Sequence, residues 1–110
     1  MITLATLLEI AQNPGNISIS SGGPINAANG TPLYFGWIAM DNGKDYKPLI
    51  RTAPIFKTDK EAVRMMREIV NFIHRGIEKV LKSSSCPLRV LTCQSPEEFE
   101  SIRYFLNQAN

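Results

Sequence analysis

The apolar positions along the chain follow two periods, and the places where one gives way to the other outline the elements. Leu4, Leu7, Leu8 and Ala11 recur at helical spacing. They predict a first helix from Leu4 to Gln12, capped by the Thr3 hydroxyl and stopped by Asn13-Pro14-Gly15. Ile17 and Ile19 alternate with Ser18 and Ser20, which is the period of a short strand. Leu33 to Met40 holds Tyr34, Phe35, Trp37 and Ile38 and is apolar on both faces, so it predicts a central strand covered on both sides. Asp41-Asn42-Gly43-Lys44 then predicts a hairpin with positive φ at both central residues. Its partner strand runs from Tyr46 to Phe56, where Pro48 and Pro54 have no N–H to donate and place the strand at an edge or interrupt it.

The clearest pattern follows. Thr58 and Glu61 have the spacing of a capping box. Val63, Met66, Ile69, Val70, Ile73, Ile77, Val80 and Leu81 then share one side of a helix over 59–82, with Met65 and Phe72 at its margin. After Ser83-Ser84-Ser85 and Pro87, Leu88 to Thr92 predicts a fourth strand. Ser95-Pro96-Glu97-Glu98 gives a cap, a proline at the first helical position and acids in the first turn. Phe99, Ile102, Phe105 and Leu106 make the apolar face of a final helix. The expected fold is α+β: a three-stranded antiparallel meander with a long amphipathic helix packed on one face, in the order α-β-β-β-α-β-α. The 110 residues, 44% apolar and 20% charged, are expected to form a single globular domain over 1–110.

Charge changes this picture by its distribution, because a net +2 is too small to imply a polyanionic partner. Residues 1–40 carry one charge, Glu9, whereas residues 41–93 carry eleven Lys and Arg against six acids. The uncharged stretch 13–32 reads as a short strand followed by a long loop from Ser21 to Thr31, of a length that is often functional or mobile. The apolar start, Met1 to Ala11, has no basic n-region and is interrupted by Glu9, and no run approaches a membrane span, so a soluble cytoplasmic protein is expected. Cys86 and Cys93, on a strand, would differ in parity and stand ~23 Å apart, which predicts two free thiols.

Four features carry candidate chemistry. Lys60, Arg64, Arg67, Asn71, Arg75, Lys79 and Lys82 follow one another at spacings of three or four, opposite the apolar side of the 59–82 helix. Such a row can neutralise phosphates. The simpler account is a solvated face with local ion pairs such as Glu61 with Arg64, further diluted by Glu68 and Glu78. Tyr34, Tyr46 and Arg51 are candidate partner contacts of the hairpin, the two tyrosines forming a platform if register allows, although aromatic residues in a strand more often fill a core. Ser21-Gly22-Gly23-Pro24 can present backbone N–H groups but lacks the spacing of a phosphate loop. His74, the one histidine, is explained by a helix edge, and with two distant cysteines it makes neither a zinc site nor an evident nucleophile pair. No catalytic or metal constellation and no cofactor is expected. The leading expectation is a small non-enzymatic binding or regulatory accessory protein acting through protein–protein contacts, with another protein or with itself as a homodimer. The alternative is a nucleic-acid binder using the basic helix face.

Overall fold

The computed structural model describes residues 4–75 and 87–108. Helix α1 spans Leu4–Gln12 and strand β1 Ile17–Asn26. Strands β2, Pro32–Asp41, and β3, Tyr46–Arg51, follow. Helix α2 spans Asp59–His74, a 3-10 helix covers Pro87–Thr92, and helix α3 spans Pro96–Gln108. The strands form one antiparallel sheet in the order β1-β2-β3. The order among the described residues is thus α-β-β-β-α-α, with a three-stranded meander and α2 packed on it.

Helix α2 lies across β1 and β2. It starts where the Thr58 hydroxyl accepts a hydrogen bond from the Glu61 N–H at 3.1 Å. It buries Ala62, Met65, Met66, Ile69, Val70 and Ile73. The apolar arc is turned from the expected one: Met65, placed at its margin by the sequence, is buried, and Val63 is only half-buried. Gly36 sets the closeness of the layers. A β-carbon there would stand 2.6 Å from Met66 Cγ and 2.9 Å from its Sδ, so only hydrogen leaves room for the methionine against the strand. The core beneath α2 includes Ile38, Ile50, Ile55 and Phe56, with Phe99 of α3 meeting Phe56 edge-on at 4.9 Å.

Helix α1 has the expected bounds, but among its described side chains Leu7 and Ile10 are buried while Leu8 is exposed. The loop expected from Ser21 to Thr31 is mostly strand. β1 runs on to Asn26 and turns back within Ala27–Thr31, where the Ala27 N–H donates to the Thr31 carbonyl at 2.8 Å and Gly30 takes φ 84°. The second hairpin also differs. Only Gly43 has positive φ, and Asn42 closes a four-residue connection by accepting from the N–H groups of Lys44 and Asp45. β3 is an edge strand and is interrupted: it ends at Arg51, and the chain returns to β2 through a bridge between Tyr34 and Phe56.

The fourth strand is absent. Residues 87–92 form the 3-10 helix, and β2 already has neighbours on both sides. A strand would send Val90 and Cys93 to opposite faces, whereas both are buried, as the three-residue turn allows. The Cys93 N–H donates to the Val90 carbonyl at 3.2 Å. The separation expected of Cys86 and Cys93 along a strand falls with that strand. The Thr3 cap, the continuation of the helix through Ile77, Lys79, Val80, Leu81 and Lys82, and Cys86 lie outside the described residues.

Gly36→Ala is expected to cost about 1–3 kcal/mol, because Met66 must leave its place against β2. A urea unfolding midpoint that stays at the wild-type value would show that the methionine yields freely.

Candidate functional site

Among the described residues the order β1-β2-β3 leaves two sheet edges, and the ladder fixes which backbone groups each presents. The Thr52 N–H donates to the Gly36 carbonyl, and Tyr34 and Phe56 exchange both bonds. Tyr34, Gly36 and Ile38 therefore turn their backbone groups toward β3. By alternation, Phe35, Trp37 and Ala39 turn theirs toward Gly22, Ser20 and Ser18 of β1. Ile17, Ile19 and Ser21 consequently point their N–H and C=O groups away from the sheet, along the outer edge of β1. Their side chains, like those of their partners Met40, Ile38 and Gly36, stand on the α2 side. Residues 17–26 contain no charged side chain.

The β3 edge differs in charge and shape. It carries Lys47 and Arg51, and Pro48 interrupts its donors. Lys47 reaches Glu9 of α1 at 3.2 Å, an exposed pair of small energetic weight. A groove of about 600 Å³ lies beside this edge, between Leu49–Ala53 and Leu91, Thr92 and Gln94.

On the sheet face away from α2, Phe35 lies over Gly22, whose hydrogen leaves the space the ring occupies. The Arg51 guanidinium covers the ring from outside at 4.1 Å, and Trp37 adjoins it at 5.7 Å. This stack accounts for the burial of Phe35 on a face that α2 does not cover. The Trp37 indole nitrogen is buried and meets no acceptor. Arg51 is thus engaged on its own sheet. The expected tyrosine platform does not form: Tyr34 is half-buried and bridged to Phe56, while Tyr46 is exposed opposite Asp41, seven positions along β2 or ~23 Å away.

The exposed side of α2 holds Lys60, Arg64, Arg67, Asn71 and Arg75 in one row. The ion pair expected between Glu61 and Arg64 is replaced by one with α3: Arg103 Nη1 meets Glu61 Oε2 at 3.0 Å and Glu100 Oε1 at 3.5 Å. Glu61 is turned away from the row. Among the described residues, none of Lys60, Arg64, Arg67 and Arg75 forms an ion pair. A dimple of about 270 Å³ opens among Asp59, Lys60, Val63, Arg64 and Arg67. Lys79 and Lys82, the rest of the expected row, lie outside the described residues.

The histidine and the described thiol stand apart in role. His74 Nε2 donates to the Ile10 carbonyl at 2.9 Å and ties α2 to the end of α1. Cys93 is a free, buried thiol bonded to the Arg89 carbonyl at 3.6 Å. Burial pushes its pKa up, the Glu98 carboxylate adds to this, and Arg89 opposes it, so the nucleophilic thiolate is disfavoured. No group of three or more metal-ligating side chains occurs among the described residues, and none of their helices is long and apolar enough to cross a membrane. No protein-family model, no curated protein and no solved structure matches the chain.

The Cys93 thiol favours the folded state in its protonated form. That contribution is full below the ordinary thiol range near 9.0 and is lost as pH rises through the raised folded value. The stability difference between wild type and Cys93→Ala is therefore expected to narrow above pH 9.0, measured by urea unfolding across pH. Thiol-reagent labelling of Cys93 at pH 7 should require unfolding, and rapid labelling of the native protein would contradict its burial.

Proposed function

We propose that the protein is a small non-enzymatic binding module that acts through protein–protein contacts, with a second copy of the chain as its partner. The observation that supports this is the outer edge of β1. Ile17, Ile19 and Ser21 offer three outward N–H and three outward C=O groups on a strand without charge. Strands left open in this way template pairing with another chain, and lysine, proline or a bulge are the usual safeguards. In β1 such features begin only at Gly22–Ile25, where the register shifts and Pro24 enters through a cis peptide bond.

Antiparallel pairing about a two-fold axis at Ile19 sets Ile19 opposite Ile19 of the second copy and Ile17 opposite Ser21. All three are outward-facing residues, so the contact forms six hydrogen bonds and a six-stranded sheet. Each such bond contributes ~0.5–1.5 kcal/mol net. Self-pairing through β3 about a two-fold axis at Leu49 would instead oppose Lys47 with Arg51 of the second copy, a like-charge contact that disfavours it.

The register makes a specific prediction. Ser18 and Ser20 lie opposite each other across the two-fold axis, on the half-buried face away from α2. Ser18→Lys/Ser20→Lys and Ser18→Glu/Ser20→Glu are each expected to be monomeric, and an equimolar mixture to form heterodimers. Light scattering after size exclusion reads all three, with wild type dimeric independently of salt. A monomeric wild type at ~100 μM, a concentration that populates even contacts of micromolar affinity, would rule out the self-association.

A further inference from the structure

We infer that the exposed row of α2 is a docking surface for the phosphate backbone of a nucleic-acid duplex. This surface is separate from the β1 edge and does not depend on it. Three observations carry the assignment. Lys60, Arg64, Arg67 and Arg75 are exposed, aligned on one side of a single helix and, among the described residues, free of carboxylate partners. Of the two acids one turn away from Arg64, Glu61 is drawn off by Arg103 of α3, and among the described residues Glu68 forms no ion pair. Asn71 continues the row between Arg67 and Arg75 and adds an amide donor of a type that commonly contacts phosphate.

The geometry suits the ligand. Fifteen helical steps from Lys60 to Arg75 span ~22 Å, which matches about six phosphates along one strand of a duplex. Arginine supplies three of the four cations, and its planar fork binds phosphate oxygens in pairs. The dimple between Lys60, Arg64 and Arg67 gives a concave seat at one end of the row. Asp59 at its rim and Glu68 beside the row are the acids that bound it.

The other anionic partners fit less well. An amphipathic helix binds a membrane by inserting its apolar face, and that face of α2 is already buried against β1 and β2. A protein interface is built around apolar or aromatic anchors, and the row contains none. Single strands are held by stacking on exposed aromatic rings, which the row also lacks.

The test is fluorescence anisotropy with a labelled 20-base-pair DNA duplex across salt concentration. Four phosphate contacts predict a slope of log affinity on log salt of about −3.6, a loss on the order of 100-fold between 50 and 200 mM. Arg64→Gln/Arg67→Gln, two exposed substitutions whose fold is checked by circular dichroism, should reduce the slope to about −1.8 and weaken binding at least ~10-fold at 50 mM salt. Lys44→Gln/Lys47→Gln removes the same charge from the β2–β3 hairpin and should leave slope and affinity close to wild type. Absence of duplex binding at 50 mM salt would overturn the inference, as would equal weakening by both variants. Tighter binding to the 20-nucleotide single strand, or to vesicles of phosphatidylserine and phosphatidylcholine, would overturn it too and reassign the row to that ligand.

Discussion

The structure depends on the close approach of one helix to two strands. Met66 packs into the space that Gly36 leaves open on β2, and from that contact α2 is laid over β1 and β2, with β3 at the margin. The buried side chains of α2 meet Ile38, Ile50 and Phe56 beneath, and Phe99 of α3 closes on Phe56 from the far side. Burial of this order is what offsets the conformational entropy of a chain of 110 residues. The remaining elements also bury side chains in this core, Leu7 and Ile10 from α1 and Phe99 from α3, and specific bonds add to that packing, such as the one from His74 to the end of α1 and the ion pair from Arg103 to Glu61.

A sheet of three strands with one covering helix leaves much of its periphery to be managed by other means. The face away from α2 is handled by the sheet itself: Gly22 makes room for Phe35, and Arg51 lies over the ring. The stem of an arginine shields apolar surface while its charged head stays in water. At the β3 edge, Lys47, Arg51 and Pro48 discourage pairing. Along Ile17 to Ser21 of β1 none of these devices is present. The contrast between the two edges supports self-association through β1.

The two proposed surfaces are geometrically compatible. A two-fold axis perpendicular to a sheet does not exchange its faces, so a six-stranded sheet formed through β1 carries both α2 helices on one side. The basic rows then share that side, and contacts from two copies multiply in effect when both engage one duplex.

The elements set by local chemistry were legible in the sequence. Leu4–Gln12, the core of α2, the central strand β2 and the edge strand after it follow from side-chain period, Thr58 at its cap and prolines that cannot donate. The basic row was legible for the same reason, since residues three and four apart must share a helix face. Tertiary structure decided what period alone leaves open. Leu88 to Thr92 is too short for its pattern to separate strand from helical turn, and the choice fell to burying Val90 and Cys93 on one side once β2 had two neighbours. Ser21 to Asn26 has no apolar alternation, yet it extends β1 because β2 supplies a ladder for it. Glu61 had Arg64 within reach of its sequence position, but its partner was set by the docking of α3, which brings Arg103 from 42 residues away. Short-range spacing fixes which face a side chain joins, whereas long-range packing fixes what that face meets.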